Sequence, residues 1–388
     1  MVAGYLREKK GYYYAVLIYT DSNGNRKENW IATGCSIIGS RRRAEAKLVE
    51  LCQSFIPEAE VSPMSQMLFS DYMLHWLELI EPTVAQTTYA GYSQIVRTKV
   101  APYFKAKGIK LIDLTPSDLQ LYYAYELQNV KAQTVISYHS NIHRALKYAV
   151  KNGLILSNPA ERVDRPKATR YVGNFYSAEE IIQLLEISQG TKLEFPILLA
   201  AFYGLRRSEA IGLKWSAIDF QNNTLTIQHT VTSCTVDGKL TVIHQDTTKT
   251  KSSKRTLPLV GFVKERLLEL QKKQELNQKL CGNCYVTEYT DYICVDDIGN
   301  LITPQYVTET FPKLLKAHGM RRIRYHDLRH SCASLLLSSG VPMKMIQDWL
   351  GHSDFATTAN IYSHLDYTAK LKSADAMLST LGIVHQSK

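Results

Sequence analysis

Five side chains have the types and the order to work on a phosphate: Arg206, His326, Arg329, His352 and Tyr362. Arg206 lies in Gly204-Leu-Arg-Arg-Ser-Glu209. His326 and Arg329 lie in His326-Asp-Leu-Arg-His330, His352 closes Leu350-Gly-His352, and Tyr362 closes Ile361-Tyr362. A guanidinium stays charged and offers a planar fork of donors matched to phosphate oxygens. Two such forks on one phosphate would neutralise the charge of a pentacoordinate transition state. The three-residue step from His326 to Arg329 puts both on one side of a helix start. His352 follows a glycine turn and can point into the same pocket. A phenol with a pKa of about 10 is a weak nucleophile, and four neighbouring cations would make it a better one. The chemistry this set allows is attack of a tyrosyl oxygen on a phosphodiester. The phosphotyrosyl product keeps the energy of the broken bond, so no metal and no cofactor is expected. The sequence carries neither a phosphate-cradling Gly-rich loop nor an acidic metal cluster.

Other uses of these residues compete. Any one of them, taken alone, is more often structural. His326 and His330 form an i, i+4 pair that could bind zinc, but Asp327 stands where metalloprotease chemistry needs a glutamate. Cys281-Gly-Asn-Cys284 has knuckle spacing, yet only Cys294 lies near. Tyr325 and Tyr367 are rivals of Tyr362 for the nucleophile. A basic turn adds to the set: from Lys249 to Arg255, four of seven residues are basic, namely Lys249, Lys251, Lys254 and Arg255. A turn rarely needs that charge to fold, so a phosphate or groove contact is expected there.

The elements that must position this chemistry follow from pattern. The chain has 388 residues, too many for one ordinary domain, and 45% hydrophobic content is ample for several cores. Lysine and arginine number 46 against 36 acidic residues, and the net +10 favours a polyanionic partner such as nucleic acid. No apolar run approaches a membrane span, and the N-terminus has no signal-peptide core. Seven scattered cysteines suit a reducing cytoplasm rather than a disulfide framework.

Residues 1–58 read as a three-stranded sheet packed by a helix, with strands at 11–20 and 26–33 around an Asn-Gly turn and a helix at 41–55 opened by Arg41, Arg42 and Arg43. That basic start is either a DNA contact or a solvated face. Residues 57–65 read as a hinge, and 64–160 as a four-helix domain with Lys131, Arg144 and Lys147 on a basic face. A polar linker is expected at 161–170. The last domain, 171–388, reads as helices at 192–203, 262–280, 304–317, 327–339, 343–350 and 367–381, with strands at 224–232, 240–245 and 255–259.

Taken together, Arg206, His326-x-x-Arg329, Leu-Gly-His352 and Tyr362 resemble the tyrosine recombinase (phage integrase) family in order and spacing. Leu213-Lys-Trp215 and Ser353-Asp-Phe-Ala-Thr-Thr358 add to the likeness. The first 60 residues or so look like the arm-binding domain of integrases from conjugative transposons and related phages of Gram-positive bacteria. The resemblance implies a multidomain, mainly α fold with small β-sheets: an arm reader, a helical core-binding domain and an α-rich catalytic domain with an inserted β-hairpin. It implies that Tyr362 attacks the scissile phosphate to give a 3′-phosphotyrosine and a free 5′-hydroxyl. Arg206 and Arg329 would clamp the non-bridging oxygens, His326 would act as general base, and His352 would hydrogen-bond the phosphate. A hairpin lysine, Lys249 or else Lys251, would protonate the leaving oxygen. The implied partners are double-stranded DNA at core and arm sites and three further subunits, as a homotetramer with exchange of C-terminal tails. The resemblance also implies an excisionase and a DNA-bending host protein as partners, in the cytoplasm. The alternatives are a type IB topoisomerase and a DNA-binding repressor without catalysis.

Overall fold

The computed structural model describes residues 3–20, 26–54, 63–168, 174–236, 238–246 and 254–351. The chain divides into two compact units, Met1–Thr169 and Arg170–Lys388.

The first unit opens with an antiparallel sheet of three strands in sequence order, β1 (Ala3–Lys9), β2 (Tyr12–Thr20) and β3 (Arg26–Ser36). Its side chains alternate between two faces. Leu6 pairs with Ala15 and Glu8 with Tyr13, and this face is covered by α1 (Arg41–Ser54), whose Ala44 packs with Tyr13 and Cys35. The opposite face carries Tyr5, Arg7, Lys9, Tyr12, Tyr14 and Trp30. The Arg7 and Lys9 cations lie 5.1 and 5.4 Å from the Trp30 ring centre, within cation–π range.

The helical bundle of this unit consists of α2 (Phe69–Ile80), α3 (Gln86–Ile95), α4 (Ala101–Lys107), α5 (Pro116–Leu127) and α6 (Ala132–Lys151). On α2, Phe69, Tyr72, Met73, Trp76, Leu77 and Ile80 recur at helical spacing and are all buried. A π turn, Val96–Val100, joins α3 to α4. Pro102 has no N–H to offer the carbonyl of Thr98, and the wider turn precedes it. Thr115 caps α5 in a capping box with Asp118, and Pro116 stands at its first position. On α6, Val135, Tyr138, Ile142 and Leu146 face inward while Arg144 and Lys147 face solvent. Ser65, expected in a hinge, is buried and donates to the Leu154 carbonyl at 2.8 Å. The short turn Pro159–Arg162 is also packed on the bundle, so the extended part of the expected linker begins later.

The second unit runs α7 (Ala178–Ser188), α8 (Glu194–Tyr203), α9 (Arg207–Ile211), β4 (Ile218–Asp219), β5 (Thr224–Ile227), β6 (Thr230–Val236), β7 (Lys239–Gln245), β8 (Arg255–Pro258), α10 (Gly261–Cys281), α11 (Pro304–Ala317), α12 (Asp327–Ser338) and α13 (Met343–Leu350). Ser177 caps α7 through Glu180, as its sequence predicts. Helix α8 is apolar around most of its surface and forms the centre of the core. The single strand expected at 224–232 is two strands in two sheets. β5 lies between β4 and β8, whereas β6 pairs with β7 in a separate two-stranded sheet, and the chain changes sheet at Gln228-His229. Among the described residues no helix is long and apolar enough to cross a membrane. The tail helix expected at 367–381 lies outside the described residues.

Candidate active site

Helix α8 ends at Gly204, whose φ of 65° lies in the left-handed region. A side chain there would collide with Leu350 on α13 and crowd Cys332 on α12. Glycine therefore lets α12 and α13 close on the turn that presents Arg206. Arg206 is the N-cap of α9, and its backbone N–H donates to Glu209 Oε2 at 3.0 Å.

Glu209 is the hub of the site. It is 2% exposed, and burial of a carboxylate requires cations in contact. Arg206 Nη1 donates to its Oε1 at 2.6 Å, Arg255 Nη2 donates to its Oε2 at 3.0 Å, and Arg329 Nη1 lies 3.9 Å from Oε2. The three arginines hold its proton affinity down against the opposing effect of burial. Three guanidinium cations against one carboxylate leave positive charge in excess, and its outlet is Arg206, whose side chain is 34% exposed against 7% and 2% for Arg255 and Arg329.

The same three arginines grip the end of α13. Arg255 Nε donates to the Trp349 carbonyl at 2.8 Å, Arg329 Nη2 to Leu350 at 2.6 Å and Arg206 Nη2 to Gly351 at 3.2 Å. The last carbonyls of a helix lack intrahelical partners and carry the negative end of its dipole, so cations belong there. Arg329 Nη1 also donates to the Gly204 carbonyl at 2.7 Å, tying α12 to the α8 turn. Arg206 and Arg329, 123 positions apart in sequence, thus meet at the point where the chain enters His352.

His326 is the N-cap of α12, and its ring lies 5.1 Å from that of His330. Crowding on its inner side, then His330 and Arg329, push His326 below the ordinary imidazole range, while solvent reaches its outer edge. Burial shifts His330 in the same direction. A neutral imidazole can accept a proton. Tyr325, a rival nucleophile, is buried and donates its hydroxyl to the Pro196 carbonyl, and burial raises its pKa further. Lys249, Lys251, His352, Tyr362 and Tyr367 lie outside the described residues.

The expected surface contacts are distributed unequally. Arg41 pairs with Glu45 at 3.1 Å, and Arg42 and Arg43 are exposed on the same turn. Lys131, Arg144 and Lys147 are exposed on the bundle, where Arg144 donates to the Tyr92 hydroxyl at 2.7 Å. Lys254 is exposed, but Arg255, expected at the DNA, is turned inward. Its charge is needed to balance Glu209 and to cap α13. Sequence reading missed Glu209 and Arg255 as parts of the site, although Glu209 stands at the capping-box distance from Arg206. It also missed the face of Arg7, Lys9 and Trp30, whose alternation on a strand was the available signal. Among the described residues no cluster of three or more His, Cys, Asp or Glu could hold a metal ion.

Residues 174–369 match the family model described as "Phage integrase family", and residues 68–127 match "Phage integrase, N-terminal SAM-like domain". A tyrosine recombinase XerC-like protein of Caldanaerobacter subterraneus subsp. tengcongensis is 29% identical over 384 residues, covering 93% of this chain and 94% of that protein. Tyrosine recombinase XerC of Pediococcus pentosaceus is 27% identical over 259 residues, covering 64% of this chain and 77% of its own. In fold, the chain is similar to the Tn1549 transposon integrase in complex with a circular intermediate DNA, with a TM-score of 0.64 at 17% identity over 78% of this chain and 99% of that one. It is also similar to a lambda integrase dimer bound to a core site, with a TM-score of 0.58 at 16% identity over 92% and 95%.

Proposed function

The chain belongs to the phage integrase family and is a tyrosine-type site-specific DNA recombinase, and from that premise we propose how its own residues cut and rejoin DNA. Tyr362 attacks the scissile phosphate, its O–P bond forms as the P–O5′ bond breaks, and a 3′-phosphotyrosine and a free 5′-hydroxyl result. His326 takes the tyrosyl proton, and Lys249 gives one to the leaving 5′-oxygen. Arg206 and Arg329 bind the non-bridging oxygens, and His352 donates to the phosphate. Religation by a 5′-hydroxyl from a second duplex reverses each step.

One observation carries this reading. Arg206, Arg255 and Arg329 converge on a single buried carboxylate and on three consecutive carbonyls, 349–351, immediately before His352. Such an array pre-organises cations before charge develops, which is where electrostatic catalysis gains most.

The partner is double-stranded DNA. The biological reaction is integration and excision of a conjugative transposon or prophage in the bacterial cytoplasm, by a homotetramer on two duplexes with exchange of tails after Tyr362. An excisionase and a DNA-bending host protein set direction. At core sites, Lys131, Arg144, Lys147, Lys251 and Lys254 contact phosphates. At arm sites the sheet enters the major groove with Arg7, Lys9 and Trp30, and Arg41, Arg42 and Arg43 add backbone contacts.

The test is a suicide duplex, nicked beside the crossover point, incubated without metal or ATP. Wild-type protein should form a covalent adduct on a denaturing gel and Tyr362→Phe should form none. An adduct that survives in Tyr362→Phe sinks the assignment of the nucleophile. Lys249→Ala should slow cleavage severely and Lys251→Ala should not; the reverse moves the acid to Lys251.

A further inference from the structure

At the base of the β6–β7 hairpin, four side chains form one hydrogen-bonded chain that the reaction as described does not use. His229 Nδ1 lies 2.5 Å from Asp246 Oδ1, His229 Nε2 lies 2.8 Å from the Tyr292 hydroxyl, and that hydroxyl lies 2.9 Å from His244 Nδ1. The order of donors is constrained. A carboxylate only accepts, so His229 donates from Nδ1 to Asp246 and, when neutral, accepts at Nε2 from the Tyr292 O–H. The Tyr292 oxygen in turn accepts from the His244 Nδ1–H. Burial, reinforced by Asp246 and Asp291, keeps the Tyr292 phenol protonated, and burial disfavours the His229 cation. The other charged groups here are Lys214, 3.6 Å from Asp246 and over the Tyr292 ring, Asp291, held by Ser216, and Glu288.

The location gives the chain its meaning. Thr230 pairs with Gln245, so His229 and Asp246 stand opposite each other one step beyond the ladder, at its open end. Asp246 is 83% exposed, and an exposed aspartate gains little stability from an ion pair. The other start of the hairpin is fixed too. A Cβ on Gly212 would meet Thr230 and the His229 carbonyl, so the end of α9, which Arg206 caps, lies directly against the start of β6. Beyond Asp246 come the residues that include Lys249 and Lys251, and then β8 opens with Arg255, held by Glu209.

We infer that the Asp246–His229–Tyr292–His244 chain is a positioning device. It fixes Asp246, three positions before Lys249 in sequence, against the start of β6, and it sets that end of the hairpin in register with the helix that Arg206 caps. The inference rests on the proposed role of a lysine in this turn as general acid. Its chemical consequence is specific: loss of the chain should weaken proton delivery to the 5′-oxygen and leave phosphate activation intact.

A substrate with sulfur in place of the bridging 5′-oxygen separates the two, because a thiolate leaves without needing a proton. Single-turnover cleavage of nicked duplexes with oxygen or sulfur at that position would be compared for wild type, Tyr292→Phe, Asp246→Asn, Lys249→Ala, Lys251→Ala and Arg206→Lys, with DNA binding measured in parallel. Tyr292→Phe should lose about tenfold or more on the oxygen substrate, the cost expected for a misplaced catalytic group, and should return to within about twofold of wild type on the sulfur substrate. Asp246→Asn, a change at an exposed residue, should do the same to a smaller extent. Arg206→Lys should lose on both substrates. Unchanged rates for Tyr292→Phe and Asp246→Asn on oxygen, or equal losses on both substrates, overturn the inference. Rescue of Lys251→Ala in place of Lys249→Ala overturns the lysine assignment alone, since both lysines follow Asp246 and precede β8 in sequence.

Discussion

The arginines of the second unit and the cations of the first do different work, and burial is the reason. Arg329, Arg255 and Glu209 are almost wholly enclosed, and each guanidinium has its direction fixed by a carboxylate and a named carbonyl. Arg7, Lys9, Arg41 and Arg144 lie at the surface, where their fixed partners are aromatic rings, a hydroxyl or an exposed glutamate. Enclosed charges interact strongly and pay no reorganisation during reaction. Surface charges are screened by salt and act mainly by displacing counterions. The first set should therefore govern rate and the second affinity.

The largest effect expected from this contrast is on cleavage. Arg206→Ala should slow single-turnover cleavage by about 10²–10³-fold, the usual cost of removing one oxyanion donor, while binding to the core duplex changes far less. A large loss of binding with an unchanged cleavage rate would erase the contrast. Next is Glu209→Gln, which keeps the shape and removes the one anion among three arginines. Breaking a buried pair in this way costs about 3 kcal/mol, a drop in Tm of roughly 6–12 °C for a unit of this size. The melt of the isolated variant reads it directly, and a Tm within about 2 °C of wild type would show that the cage is not held by Glu209.

What could be read in advance divides along the same line. The convergence of Arg206 and Arg329 was legible because both stand in short motifs at helix starts, where capping and turn chemistry limit the sequence. The bundle was legible because Phe69 to Ile80 and Val135 to Leu146 follow helical spacing. Arg255 was misread because a run of cations looks the same whether it faces water or a buried carboxylate; only the partner, 46 positions away, distinguishes them. The strand break at His229 was missed for a like reason. Thr224 to Thr232 is uniformly β-prone, and the change of sheet is imposed by Gly212 and Tyr292 packing against residue 229 from elsewhere. The open face of Arg7, Lys9 and Trp30 needed the strand pairing to reveal which side α1 covers.

The contrast extends to acid stability, with the sign set by buried histidines. His139, 6% exposed in the bundle, bonds the Tyr123 hydroxyl at 3.0 Å, and burial with His143 and Arg165 lowers its pKa to about 4. The unfolded chain takes up this proton first, so stability is complete above about pH 6.5 and is lost as the pH falls towards 4. Between pH 7.5 and 5 the loss should be about 1–2 kcal/mol. His139→Gln should show a smaller difference between denaturant melts at the two pH values, whatever its stability at pH 7.5. His326 and His330 shift in the same direction but reach solvent, so replacing either should flatten the pH response less.

The smallest effects belong to the N-terminal sheet, and they test which of its faces would meet DNA under the proposed arm-site role. Arg41, Arg42 and Arg43 open the helix that covers one face, while Arg7, Lys9 and Trp30 stand on the other. An exposed i, i+4 pair such as Arg41–Glu45 contributes about 0.3–0.5 kcal/mol at most, so changes at either site should leave folding intact. If the open face enters the groove, Trp30→Ala should weaken arm-site binding by about 1 kcal/mol, in keeping with an aromatic cation–π platform. Arg7→Ala should in addition reduce the slope of log affinity against log salt by about one. Arg42→Ala should reduce the slope similarly only if the helix start also touches phosphates. A salt slope altered by Arg42→Ala and untouched by Arg7→Ala would assign the contact to the helix, and Arg7 and Lys9 would then serve only to cover Trp30.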